Sequence, residues 1–307
     1  MWIFRRIFEK NSPEKFWATV SGVQPGWALA ALASCGLMCG FAIVRWHAIL
    51  RVQGLNLGWG RTSGIFFIGA FFNTFMLGAT GGDISKAYYV ARETKHKQAE
   101  AVATVIVDRV IGLLALLVFC TVFLTINASY LLREADAGLR GAAFAVILLM
   151  VGAVASVAMS LSTKLREWLL KWLPPRFQEV LRRAAEAYQG YIHHPGVVAQ
   201  TFGLSLGVHT CTTLISVLLA FGMGLVDVSV GKFFLILPLI NFLAAMPVSL
   251  MGLGVREALY EKLLGPLGLE LHEAVVLSLL FFVTTLLWNL VGGVIFLLWR
   301  EREHHHT

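Results

Sequence analysis

The sequence predicts an all-α polytopic integral membrane protein. Of its 307 residues, 57% are hydrophobic and only 14% are charged, whereas an ordinary soluble chain is about one quarter charged. Several uncharged runs approach the roughly 20 residues that a helix needs to cross about 30 Å of hydrocarbon. These runs are continuous, whereas a membrane β-barrel alternates apolar and polar residues in strands of roughly ten residues.

The first half of the chain, about residues 20–161, contains simple spans and one interrupted segment. Apolar runs predict spans over residues 26–44, 101–126 and 141–161. Between the first two lies a polar connection with Arg45, followed by an apolar stretch over 65–77 that breaks at "GATGG".

A basic amphipathic segment over residues 163–195 divides the chain. Trp168 and Trp172 lie four positions apart, so the segment is expected to lie along the membrane interface with its cations facing outward. The second half then contains a span over 197–221, an interrupted segment over 232–264 and a last span over 274–299. We expect a single membrane domain over 1–307 with about seven or eight transmembrane segments, two of them broken or re-entrant.

The positions of Lys and Arg predict the orientation. A formal net charge of +7 in so apolar a chain indicates cytoplasmic loops beside anionic lipid headgroups, and no nucleic-acid partner is expected. We therefore predict a multi-pass protein of a cell membrane, and we expect this to be the bacterial cytoplasmic membrane. Counting simple spans leaves the side of Arg300 and Arg302 open. The segments predicted to be cytoplasmic are 1–16, 86–97 and 163–195.

The two broken segments correspond to each other. "FFNTFMLGATGGDISKAYYV" and "LINFLAAMPVSLMGLGVREALYEKLL" each carry an Asn (Asn73, Asn241), then small residues with two glycines, then charges that open an amphipathic helix. Glycine-interrupted apolar segments in both halves are typical of transporters built from inverted repeats, with the binding site at the breaks. Such a break is tolerated only inside protein or beside a wet cavity. The halves of the predicted repeat are about 20–161 and 197–299.

The helix after each break is a candidate anion site. Its first turn presents free N–H groups and a partial positive charge, which favour phosphate. Lys86 and Arg256 lie in those first turns and add to the attraction. The alternative is an ordinary loop in which glycines form the turn and Asp83 caps the helix.

Asp108 and Arg109 are charges inside an apolar run. A charge in mid-membrane costs about 2.5–3.5 kcal/mol, so it normally faces the bundle interior or a cavity. Neighbouring residues point about 100° apart, so each needs its own partner. We predict Lys86 or Arg256 for Asp108, and Asp83, Glu257 or a lipid phosphate for Arg109. Alternatively, the true span is 110–126 and the pair lies at its rim.

Other polar groups within the spans have two interpretations. His209, Asn241 and Asn289 are candidate ligands, with His209 also a candidate proton relay, but such residues more often form interhelical hydrogen bonds, worth about 0.6 kcal/mol each. The four cysteines are too scattered for a disulfide framework. No nucleotide-binding, protease or hydrolase motif is found, and neither a cofactor nor a metal site is expected.

Three motifs together resemble the family of lysylphosphatidylglycerol synthase transmembrane domains, also called flippase-like domain proteins. They are "FFNTFMLGATGGDISKAYYVAR", "AVATVIVDRVIGLLALLVF" and "MPVSLMGLGVREALY". In bifunctional relatives this domain is fused to an aminoacyl-transfer domain, which we do not expect here because the chain ends just after its last span. The residues that match the family pattern are Gly81, Gly82, Asp83, Asp108, Arg109, Gly254, Arg256 and Glu257.

The resemblance implies a stand-alone lipid translocase that moves an anionic or phosphate-containing lipid between leaflets. The alternatives are a lipid- or envelope-modifying membrane enzyme that uses Asp108 and His209, and a small-solute secondary transporter. Membrane lipids are the expected partners, and self-association stays open. The predicted substrate-binding residues are Asn73, Gly81, Gly82, Asp83, Lys86, Asp108, Arg109, Asn241, Gly252, Gly254, Arg256 and Glu257.

Overall fold

The structure, a computed structural model, describes residues 13–76, 81–94, 96–161, 194–226, 228–244 and 255–304. Most of the predicted interfacial segment, including Trp168 and Trp172, lies outside these ranges, as do Gly252 and Gly254. A 3₁₀ turn over Gly265–Leu267 precedes the last helix. The helices are α1 (Pro13–Ser21), α2 (Pro25–Val52), α3 (Trp59–Phe75), α4 (Gly81–Glu93), α5 (Gln98–Ile126), α6 (Ala128–Arg133), α7 (Ala137–Leu161), α8 (Pro195–Gly222), α9 (Val230–Ala244), α10 (Val255–Leu264) and α11 (Leu271–His304).

Four of the described helices are long and apolar enough to cross a membrane, namely α2, α5, α8 and the part of α11 up to Trp299. Helix α9 and the part of α7 over Ala137–Ala153 are shorter and also apolar. These helices confirm the predicted all-α membrane class. The count of about seven or eight segments stays a prediction.

Helices α2 and α8 form a closely packed antiparallel pair. The amide of Gln24, before α2, donates to the carbonyl of Gly222 at the end of α8 (2.9 Å). Further along, Ser34 Oγ donates to the carbonyl of Cys211 (3.2 Å). Helix α2 continues to Val52, so the polar connection predicted to begin at Arg45 is helical up to that residue.

Helices α3 and α4 fold back on each other, and we call them the first hairpin. The apolar segment is interrupted as predicted, because α3 ends at Phe75 and α4 begins at Gly81. A Cβ on Gly82 would lie 2.4 Å from the Gly69 carbonyl oxygen, so only glycine permits this approach of the two helices. On its outer side α3 contacts α11, where a Cβ on Gly292 would lie 1.8 Å from the Phe67 carbonyl oxygen.

Helices α9 and α10 pack against each other in the same way, and we call them the second hairpin. The start of α9 lies beside Asn127 at the end of α5, and Lys262 at the end of α10 lies beside Gly138 at the start of α7. The two helices therefore run in opposite directions. The first hairpin contacts α5 and α11, and the second hairpin contacts the same two long helices.

The ends of the long helices define two faces of the bundle. At the face that we call the basic end, Lys97 Nζ donates to the Gln53 carbonyl (3.4 Å) and Arg61 pairs with Glu93. Trp299 of α11 contacts Tyr89 there, so the C-terminal part of α11 lies at this end. The rule that cytoplasmic loops are rich in Lys and Arg predicts that the basic end is cytoplasmic.

The N-terminal helix α1 lies at the opposite end. Lys15 of α1 pairs with Glu270, which precedes the start of α11 (3.4 Å). Because α2 begins next to α1 and ends at the basic end, α1 and Lys97 are on different faces. The prediction that the N-terminal segment shares the side of residues 86–97 is therefore wrong for α1.

The bundle has a large apolar core and a smaller one. The large core joins α2, α5, α7, α8, α9, α10 and α11, and Phe233 and Tyr260 are its largest fully buried side chains. The smaller core lies under the first hairpin and is built around Trp46 of α2 and Ile65 of α3. All four cysteines are free and buried.

Candidate functional site

A cluster of three charged side chains lies inside the bundle beside the first hairpin. Arg45 Nε of α2 donates to Asp108 Oδ1 of α5 (2.8 Å), and Lys86 Nζ of α4 donates to Asp108 Oδ2 (2.9 Å). The exposed fractions are 9% for Arg45, 6% for Lys86 and 7% for Asp108. We call these residues the Asp108 triad. It joins the hairpin to α2 and α5 by charge-assisted hydrogen bonds.

Neutral groups complete the environment of the triad. Arg45 Nη1 donates to Ser205 Oγ of α8 (3.0 Å), and that hydroxyl donates to the carbonyl of Thr201 (2.8 Å). Lys86 Nζ lies 4.0 Å from the centroid of the Trp46 ring, a cation–π distance. Residues of four helices thus meet in this cluster, and the loss of Asp108 would leave two buried cations without their carboxylate.

Arg109 and Asp83 form a second ion pair next to the triad. Arg109 Nη1 lies 2.9 Å from Asp83 Oδ2, and about a third of each side chain is exposed (35% and 36%). Lys86 and Asp83 were among the partners predicted for Asp108 and Arg109, and both contacts are confirmed. Both charged residues of α5 lie within a helix that begins at Gln98, with Asp108 facing the bundle interior.

The charged residues after the second break form a different cluster. Glu257 is buried and accepts a hydrogen bond from Ser278 Oγ of α11 (3.2 Å). The Arg256 guanidinium lies 4.9 Å from the centroid of the Phe281 ring, also on α11. Tyr260, one turn further on, shares a hydrogen bond with Ser216 of α8 (3.2 Å). This second cluster ties α10 to α11 and α8.

The two predicted asparagines each lie near the end of the first helix of a hairpin. Asn73 lies near the end of α3 against Gly82, and its buried Oδ1 finds no hydrogen-bond partner among the described residues. The neighbouring Thr74 Oγ1 accepts from Asn289 Nδ2 of α11 (2.9 Å), so Asn289 bonds between helices as predicted. Asn241 lies half-buried near the end of α9.

His209 also has the expected interhelical role. Its Nε2 bonds the carbonyl of Gly112 on α5 (3.0 Å), while the oxygens of Asp108 are paired with Arg45 and Lys86. The enzyme alternative requires Asp108 and His209 to act together as acid and base, and the structure gives each a separate partner.

Sequence reasoning missed Arg45 and Ser205. Arg45 was assigned to a polar connection because a charge usually ends an apolar run. A sequence signal did exist: the residues after Arg45 include Trp46, Ile49 and Leu50, which continue the helical pattern and are all fully buried. Ser205 carries no such signal, because its role depends on a contact with a helix far away in the chain.

The sequence also identifies the family of the chain. The family described as "Lysylphosphatidylglycerol synthase TM region" matches residues 1–293. The chain belongs to this family. The match covers both hairpins and both clusters, and it shows a membrane domain that is related to lipids. No curated protein matches the chain.

Proposed function

We propose that the chain is a lipid translocase that moves an anionic or phosphate-containing lipid between the two leaflets. The observation that supports it is the position of the two hairpin tips. Thr74 at the first tip contacts Asn289 of α11, and Arg256 at the second tip contacts Phe281 of the same helix. Residue 285 is the midpoint of the apolar part of α11, Leu271–Trp299, so the tips approach its middle from opposite ends.

The hairpins are re-entrant in this proposal. At 1.5 Å per residue, α3 and α4 extend about 26 and 20 Å, and α9 and α10 about 22 and 15 Å. Each is shorter than the roughly 30 Å of a hydrocarbon core. Each hairpin therefore enters and leaves at one face, and together they form the two equivalent units of an inverted repeat.

The helix starts at the tips supply the chemistry for a headgroup. Helices α4 and α10 both begin in the membrane interior, where their free N–H groups and partial positive charges attract phosphate. Asp83 and Lys86 lie in the first turns of α4, and Arg256 and Glu257 in the first turn of α10. The guanidinium groups of Arg109 and Arg256 are each suited to donate two parallel hydrogen bonds to the oxygens of a phosphate.

Two such positions on opposite sides of the membrane midplane provide a path for the lipid headgroup. A headgroup moves from one tip to the other along α11, while its acyl chains stay in the bilayer. The distance is short: Phe281 and Asn289 are about 12 Å apart along the helix. Thr284 and Thr285 lie between them on α11. Any coupling to an ion gradient would use Asp83 or Glu257, which lie at the tips, or Asp108, which lies beside the first hairpin on α5.

The test is a lipid-scrambling assay in proteoliposomes with a labelled anionic lipid. We expect the Arg109→Ala, Arg256→Ala double variant to lose transport, because a phosphate leaving water needs charge-assisted partners. Lys at either position should restore transport only in part, because an ammonium group keeps the charge but cannot donate the two parallel hydrogen bonds of a guanidinium. Arg61→Ala is the matched control, because Arg61 is exposed at the basic end and pairs with Glu93.

Full transport by a stable double variant would rule out this site. Glu257→Gln and Asp108→Asn separate coupling from binding: retained lipid binding with lost transport identifies a coupling acid. Thermal unfolding is measured in parallel, because loss of folding alone would mean that these charges only hold helices together.

A further inference from the structure

A large aromatic side chain lies between the two hairpin tips. Trp288 is on α11, between Phe281, which contacts the second tip, and Asn289, which contacts the first tip. Phe281, Thr285 and Trp288 have the i, i+4, i+7 spacing of a single helix face. The side chain of Trp288 therefore projects from the face of α11 that meets the second tip.

The indole of Trp288 bridges α11 and α2. Its Nε1 donates a hydrogen bond to the carbonyl of Leu32 on α2 (2.9 Å). Its six-membered ring lies over Gly36, where a Cβ would be 2.4 Å from Cζ2 of the indole, so a larger residue would displace the ring. The ring of Phe67 in the first hairpin is nearly parallel to the indole, with 6.2 Å between the ring centroids and 15° between the planes. Contacts with α2 and with the first hairpin thus hold the indole in one position.

Both helices place this contact near the middle of the membrane. The midpoint of α2 lies between residues 38 and 39, about 4 Å along the helix from Gly36. Trp288 is about 5 Å from residue 285, the midpoint of the apolar part of α11. Tryptophans that anchor membrane proteins are enriched at the two membrane–water interfaces. A tryptophan at this depth therefore has a role other than that of an interfacial anchor.

We propose that Trp288 is the barrier that a lipid headgroup has to pass between the two tips, and that it sets the size of headgroup that is transported. The inference rests on the proposed function and adds a specificity-determining residue to it. A headgroup that moves along this face of α11 meets the indole. Passage requires the indole to leave Gly36 and to give up its hydrogen bond to Leu32, which slows every headgroup. The space that the displaced ring vacates then limits the size of the headgroup.

Lipid scrambling with two headgroups of equal charge and different size tests this inference. The probes are phosphatidylglycerol and phosphatidylinositol, each with a fluorophore on an acyl chain so that the headgroup is unmodified. We expect the unmodified protein in proteoliposomes to move phosphatidylglycerol faster. Trp288→Phe removes the indole N–H and narrows the side chain, so both rates should rise. The expected rise for phosphatidylglycerol is about fivefold, which corresponds to the loss of one neutral hydrogen bond. The ratio of the two rates should fall toward one.

Trp27→Phe is the matched control. Trp27 lies at the start of α2 with its ring against Phe221, far along the helix from Gly36, so this substitution should change neither rate. Binding of phosphatidylglycerol, measured by native mass spectrometry, should be the same in Trp288→Phe and in the unmodified protein, because Trp288 lies between the tips. A purely structural role of Trp288 would lower thermal stability and leave the ratio of the two rates unchanged.

The outcomes are separable from those of the proposed function. Transport by the unmodified protein with no rise of either rate in Trp288→Phe, or with an unchanged ratio, overturns the inference and leaves the translocase standing. If Trp288→Phe does not unfold cooperatively, Trp288→Leu takes its place with the same expectation, because it also lacks the N–H and is smaller. Transport by the variant alone supports the barrier. Absence of transport in the unmodified protein and in every variant contradicts the proposed function and this inference with it.

Discussion

The two hairpins are alike in layout and different in what holds them. Each consists of two short helices that contact α5 and α11. The first hairpin is fixed by ion pairs from Lys86 to Asp108 and from Asp83 to Arg109. The contacts described for the second hairpin include hydroxyl hydrogen bonds of Glu257 and Tyr260 and a cation–π contact of Arg256.

This difference concerns how strongly each hairpin is held. A buried ion pair depends on its partner of opposite charge, whereas a hydroxyl of Ser278 or Ser216 contributes a weaker hydrogen bond. We therefore expect the loss of one ionic partner at the first hairpin to cost more stability than the loss of one hydroxyl at the second.

The largest expected effect is that of Asp108→Asn on stability. It leaves Arg45 and Lys86 as buried cations without a carboxylate, and removal of one partner from a buried ion pair costs about 3–5 kcal/mol. The free energy of unfolding in detergent measures this. Glu100→Gln, an exposed change in the same helix, should stay within about 0.5 kcal/mol. A loss below about 1 kcal/mol for Asp108→Asn would mean that the triad does not fix the hairpin.

The next effect concerns the contact between the first hairpin and α11. Gly292→Ala places a Cβ 1.8 Å from the Phe67 carbonyl oxygen, so α3 must move away from α11. We expect a loss of about 1–3 kcal/mol. Gly203→Ala in α8 meets nothing within 4 Å and should gain up to about 1 kcal/mol. Equal effects of the two substitutions on thermal unfolding would contradict the close packing.

For the second hairpin, Tyr260→Phe removes the hydrogen bond to Ser216 inside the large core. We expect a cost of about 0.5–1.5 kcal/mol, because a neutral pair is lost and one hydroxyl stays buried. A double-mutant cycle with Ser216→Ala isolates the coupling energy. A coupling energy as large as that between Lys86 and Asp108 would remove the contrast between the hairpins.

The smallest stability effect should be that of the pair Asp83 and Arg109. Because both side chains are about one-third exposed, their coupling energy should be about 0–1 kcal/mol and should fall with added salt. A double-mutant cycle of Asp83→Asn and Arg109→Gln at two salt concentrations measures it. A salt-independent coupling above about 2 kcal/mol would show that the pair holds the fold together in the manner of a buried ion pair.

Part of this molecule could be predicted from hydropathy. The break at Gly81 and Gly82 and the partners of Asp108 and Arg109 follow from the cost of exposed backbone and unpaired charge in hydrocarbon. These arguments are local, or they need only one partner of opposite sign. The membrane class and the family follow from the same residues.

The rest depends on tertiary contacts. Helix α2 can continue through Arg45 because the guanidinium donates hydrogen bonds to Asp108 and Ser205. A hydropathy pattern does not contain these contacts, so it predicts that the span ends at the charge. The side of α1 was predicted from its own charges, yet it is fixed by the length of α2 and the contact of Lys15 with Glu270. Loop charges are a weaker constraint than the continuity of a helix.

The central claim is that a lipid headgroup passes between the two hairpin tips. Electron cryo-microscopy of the protein in lipid nanodiscs containing phosphatidylglycerol tests it most directly. The account predicts density for a lipid phosphate within hydrogen-bonding distance of Arg109 or Arg256, at the level of residues 281–289 of α11 and below the headgroup layer. Lipid phosphates confined to the two headgroup layers, with the space between the tips filled by packed side chains, would contradict it.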